Sequence, residues 1–135
     1  MRDEGSAAVE FLAVGLLLLV PLVYLVLVLG RVQAATFAAG SGAAEASRLL
    51  ATGAAPADAE AAVALAVTDQ GVAPRTARLT VTCSADPCHT REATVAATVR
   101  VDVPLPLVPS VARDVVPLQV PVSVRRGAVV DRFAP

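Results

Sequence analysis

The sequence predicts an α+β fold: a long N-terminal helix whose first half is membrane-spanning, followed by a short helix and a small antiparallel sheet. Three observations carry this. Residues 11–30 are apolar and hold no charged side chain. From Val32 to Leu50 small and apolar residues recur at three- and four-residue steps, the helical period. From residue 76 the period changes to two, the signature of half-buried strands. A chain of 135 residues has room for one span and one small domain, not for two full cores.

The apolar run comes first. Twenty uncharged residues at about 1.5 Å each reach roughly 30 Å, the thickness of a bilayer core. Pro21, in the middle, costs about 3 kcal/mol or more in a soluble helix but is tolerated within membranes, where it reads as a kink. Tyr24 reads as facing lipid or a partner. Arg2 and Arg31 balance across the segment, so counting positive charge gives no orientation. Val32, Ala35, Ala39, Ala43, Ala46 and Leu50 then form a narrow stripe on a continuing helix. Gly40-Ser41-Gly42 allows a bend or a close helix contact, and Glu45 and Arg48 are spaced as a solvated pair. The small-residue stripe suits packing on the domain's own sheet, with neighbouring subunits as the alternative.

A second helix begins at Pro56, which suits the first helical position; Asp58 and Glu60 complement its dipole and Gly71 stops it. Ala61, Val63, Ala64, Leu65 and Val67 read as its core-facing residues. Leu79, Val81 and Cys83 alternate with polar residues, as do Val95, Ala97, Val99, Val101 and Val103. These two runs predict an antiparallel hairpin connected by CSADPCHTRE. Leu118, Val120, Val122 and Val124 make a third strand, and Pro117 and Pro121 place it at an edge. PLPLVP, residues 104–109, is an extended crossing between the second and third strands.

Composition excludes several functions. Net charge is −1 and the only basic cluster is Arg125–Arg126, which gives no electrostatic footprint for nucleic acid. All eleven basic residues are Arg, and Lys, Ile and Asn are absent, which marks a GC-rich genome. There is one histidine, no Ser-His-Asp or Cys-His set in chain order and no glycine-rich phosphate loop. Asp58 and Glu60 are helix-start charges rather than an acid/base pair. The sequence therefore predicts neither an enzyme nor a cofactor site. Cys83 and Cys88 in CSADPC form an oxidised pair closing a short loop if this part of the chain lies outside the cytoplasm. Free thiols are one alternative. A metal site of Cys83, Cys88 and His89 is the other, and it lacks a fourth histidine or cysteine ligand.

Glu10 stands at the mouth of the apolar run, where an ionisable group is costly and points to a function. Its neighbours carry a resemblance. Gly5 followed by Ser6-Ala7-Ala8-Val9-Glu10-Phe11 resembles the processing site of type IV pilin precursors. With the later Pro21-Leu22 and Gly30-Arg31, it is similar to the TadE-like and TadG-like pseudopilins of tight-adherence (Flp) pilus systems. Ala43-Ala44-Glu45-Ala46-Ser47-Arg48 resembles the small-residue stretch ending in Arg that follows the span in that family. Many relatives carry a second acid two positions before Gly-Arg; here that position is Val28.

The resemblance implies a leader of residues 1–5, a transmembrane segment of 6–30 and an extracytoplasmic pilin-like domain of 31–135. It implies cleavage between Gly5 and Ser6 by a prepilin peptidase, with Glu10 and Phe11 completing the processing and assembly motif. The new amine at Ser6 of one subunit pairs with Glu10 of its neighbour, a desolvated pair suited to fixing register. The implied partners are prepilin peptidase, other pilin or pseudopilin subunits, the assembly platform and the membrane, with no nucleic acid. The implied location is the cytoplasmic (inner) membrane, N-terminus inside, as a minor rather than major pilin. The competing reading is a small extracytoplasmic binding or adhesion module. Its N-terminus is either an uncut anchor or a signal peptide cut after Val32-Gln33-Ala34.

Overall fold

The computed structural model describes residues 3–115 and 118–133. Helix α1 runs from Asp3 to Ala51, through Pro21 and through Gly40-Ser41-Gly42. At 1.5 Å per residue its 49 residues extend about 73 Å. Gly53, at φ +85°, turns the chain into α2, Pro56–Asp69. The Asp58 carboxylate accepts a hydrogen bond from the Ala55 N–H at 3.2 Å, so Asp58 serves the helix start as its position predicts. Gly71, at φ +69°, follows the end of α2.

The remaining chain forms β1 (Ala77–Cys83), β2 (Thr94–Pro104), the short helix α3 (Ser110–Val115) and β3 (Gln119–Val129). The sheet is antiparallel with order β1-β2-β3. Cys83 pairs with Val95 at one end of the hairpin and Ala77 with Val101 at the other. β3 is an edge strand, with Pro121 opposite Asp102; Pro117 lies outside the described residues. The structure is thus the α+β arrangement that the change of period predicts.

One face of the sheet is covered by the C-terminal half of α1 together with α2. Ala97, Val99, Val101 and Val103 of β2 are buried there, with Ala35, Ala38, Ala39, Ala43 and Ala46 of α1 against them, while Val95 is buried in a second cluster with Ala51, Ala93 and Val130. Alanines let the helix axis approach the sheet closely, so valine can fill the space at interior density. The intervening hydroxyls do not disturb this. Buried Ser47 donates to the Ala44 carbonyl at 2.9 Å, and Ser41 donates to the Phe37 carbonyl within its own helix.

One expectation needs correction. In α2 the buried residues are Ala59, Val63 and Val67, whereas Ala61 and Leu65 are exposed. An i, i+4, i+8 row faces α1 and the sheet, and residues two places away point to the far side. Between the proline-rich crossing, 104–109, and β3 lies α3, an element the residue pattern does not announce.

Candidate functional site

Among the described residues, the amino-terminal half of α1 contributes nothing to the buried core. Every described side chain from Ser6 to Val23 is exposed, Phe11 at 77% and Leu17 at 74%. Tyr24 and Val28, one turn apart, are the first to be partly covered, and Ala35 is the first fully buried. About 20 apolar residues left bare on a helix constitute a surface that water does not tolerate. α1 is long and apolar enough to cross a membrane.

Gly5 and Ser6 lie on the first turns of this helix, and Glu10 and Phe11 follow on exposed positions. Ser6 and Glu10 are four residues apart, hence on one face about 5–6 Å from one another. A positive amine created at Ser6 would start on the same side of the helix as the carboxylate. Among the described residues no ion pair or hydrogen bond engages the Glu10 side chain. The Val32-Gln33-Ala34 sequence is on an unbroken helix immediately before the core residue Ala35.

At the other end of the molecule, Cys83 and Cys88 are joined as a disulfide with Cα atoms 5.2 Å apart. The bridge closes the start of the β1–β2 connection, and the Ser84 N–H bonds to the Thr94 carbonyl just beyond it. With both sulfurs bonded to one another, the Cys83–Cys88–His89 metal alternative would require reduction first. His89 packs instead against Gly53, whose missing side chain leaves room for the ring. A Cβ there would lie 3.3 Å from His89 Cε1. The His89 Nδ1 is buried without a hydrogen-bond partner among the described residues. Nothing in the residue pattern announces this packing, because it joins positions 36 apart in the chain.

Glu45 and Arg48 form the predicted exposed pair, Arg48 Nη2 to Glu45 Oε1 at 2.6 Å. The hydrogen bond from Arg48 holds the Glu45 carboxyl below its ordinary pKa and raises that of the guanidinium. Both groups are solvent-screened, so the pair adds little to stability. A surface groove between α2 and β1 carries Glu60 and Arg78, one charge of each sign and no carboxylate pair.

Comparison with family models, with curated proteins and with solved structures finds no match to this chain. The functional argument therefore rests on the residues and their placement.

Proposed function

We propose that the protein is a structural, non-catalytic subunit of the minor pilin or pseudopilin kind, anchored in the cytoplasmic membrane and taking part in assembly of a tight-adherence pilus or related secretion filament. One observation carries the reading: a lone carboxylate, Glu10, one helical turn after a Gly-Ser bond, at the start of an apolar half-helix whose side chains from Ser6 to Val23 are exposed. A plain anchor needs the apolar residues but gains nothing from the acid. In a bundle of such helices the acid has a use, because the amine released at Ser6 and Glu10 of a neighbour neutralise one another and set the stagger of the subunits. The disulfide supports placing residues 31–135 outside the cytoplasm, since such bonds persist in oxidising compartments. In the proposed orientation the N-terminus is inside, on the side where a prepilin peptidase would cut.

The competing binding-module reading differs in the mature N-terminus. The unbroken helix across residues 32–35 favours retention of the span, because the signal-peptidase sequence lies within hydrogen-bonded helix. Intact mass and N-terminal sequencing of the protein from native membranes test the proposal. The expected chain begins at Ser6 and keeps the apolar helix. A start at Ala35 or an uncut N-terminus overturns it.

A further inference from the structure

The end of the domain nearest the apolar run holds a basic groove. Helix α2 runs back along α1 from the turn at Gly53, with Gly42 facing Val63, so its last residues stand near the start of the core segment of α1. β2 ends at the same level, with Val103 and Pro104. The turn Gln70 to Ala73, Arg75 and Thr76 of the 3-10 turn Pro74–Thr76, the end of β2, and Arg31 and Ala34 of α1 together line a groove of about 310 Å³. Arg31 and Arg75 are the charged residues of this lining, and both are exposed. Among the described residues no ion pair or hydrogen bond engages either guanidinium. Neighbouring acids do not neutralise them: Asp102 pairs with Arg100 at 3.2 Å, and Asp69 does not line the groove.

We propose that this groove holds the phosphate of an anionic phospholipid headgroup, clamped between Arg31 and Arg75. The proposal rests on α1 crossing the bilayer. Position selects a lipid as the source of the phosphate. Residues 11–30 carry no charge and reach roughly 30 Å, a full bilayer core, so Arg31, the next residue, arrives where the headgroups begin. Ala34 is only about 4.5 Å further along the axis, and the headgroup layer is about 5–7 Å deep, so both α1 residues of the groove fit within it. Chemistry selects the sign of the lipid. A guanidinium presents paired N–H donors to phosphate oxygens. Two of them exceed the charge of one phosphodiester, which favours a headgroup of net negative charge over a zwitterionic one whose ammonium they repel. The arginines belong to different elements, α1 and the turn after α2, so a headgroup held by both ties the base of the domain to the bilayer and limits swivelling about Arg31. α2 has no basic residue in its own last turn, and serving its carbonyl end is the competing use of the two guanidiniums.

The full-length protein is reconstituted into phosphatidylcholine vesicles carrying spin-labelled phosphatidylglycerol or spin-labelled phosphatidylcholine. Electron paramagnetic resonance then reads the fraction of each label that the protein immobilises. The expected result is a several-fold preference for phosphatidylglycerol, reduced to parity in the Arg31→Gln/Arg75→Gln double variant. Arg126→Gln, which removes one positive charge from β3 opposite Ala97 and away from the groove, is expected to keep the preference. Equal immobilisation of the two lipids by the unaltered protein, or a preference that survives the double substitution, overturns the clamp and leaves the span intact. Loss of the preference in Arg126→Gln also overturns it, because net charge rather than the groove then selects the lipid. Displacement of the labelled phosphatidylglycerol by inorganic phosphate at constant ionic strength overturns lipid as the occupant in favour of free phosphate. Arg31→Gln and Arg75→Gln are each expected to melt like the unaltered protein in detergent free of phosphatidylglycerol. A lower melt assigns the guanidiniums to the carbonyl end of α2 and overturns the clamp. Immobilisation of neither lipid removes the span, and the clamp with it.

Discussion

Glu10 is the residue on which the assembly reading turns. It is exposed, and its side chain has neither an ion pair nor a hydrogen bond among the described residues, so replacing it removes nothing from the fold. Glu10→Ala is therefore expected to leave membrane insertion and the melting of the domain unchanged while abolishing recruitment into the filament, read by co-purification with partner subunits. Unchanged recruitment eliminates the pairing role. Gly53 is the opposite case, a residue fixed by the fold. It combines a left-handed backbone with a histidine ring where its Cβ would be. Gly53→Ala is expected to cost about 1–2 kcal/mol from the backbone alone. It should lower the melting temperature of the detergent-solubilised protein by several degrees. Gly15→Ala, with nothing within 4 Å of the added methyl, serves as the control that does not.

Among the elements, the β1–β2 connection depends most on a single bond. Ten residues, 84–93, separate the two strands, and the Cys83–Cys88 bridge restrains the first half of them. A loop this short gives a chain-entropy stabilisation of roughly 2 kcal/mol. Reduction with a thiol, or the Cys83→Ser/Cys88→Ser double variant, is expected to lower the melting temperature by several degrees. The sheet signal in circular dichroism should be kept, because the register is held by the valines of β2 rather than by the loop. Loss of the sheet would show that the bridge sets the register. α1 and α2 meet where Gly42 faces Val63, so closely that a Cβ added at Gly42 would lie 3.4 Å from the Val63 Cα. Of the two outcomes that stretch permitted, a bend or a close contact, the second is what the helices display.

At the scale of the whole molecule, α1 belongs to two environments. Core contacts begin at Val32 and Ala35, and no described side chain before Tyr24 is covered. A chain lacking residues 1–30 is therefore expected to keep its sheet, its disulfide and a cooperative melt, and to remain soluble without detergent. Failure to fold would show that the span contributes to the domain core. Under the proposed assembly role, such a division would let the helix pass from lipid to a helical bundle without rearrangement of the domain.

By itself the sequence determined a helix long and apolar enough to cross a membrane, the change from helical to strand period, the β2 residues that form the core, the edge position of β3 and the pairing of the cysteines as an alternative to be chosen. These are local signals: uninterrupted apolarity, a period of two, a proline without its N–H. It also carried the Gly5–Ser6–Glu10 motif, because spacing along one helix is a property of the chain. Tertiary structure decided the rest. Which face of α2 is buried follows from where α1 and the sheet stand, so Leu65 is exposed although its residue type suits a core. The seat of His89 on Gly53 and the return of Leu107 to the level of Tyr24 join segments 36 and 83 residues apart in the chain. Contacts at that separation leave no periodic trace in the sequence, because they depend on how elements are arranged and not on how each one forms.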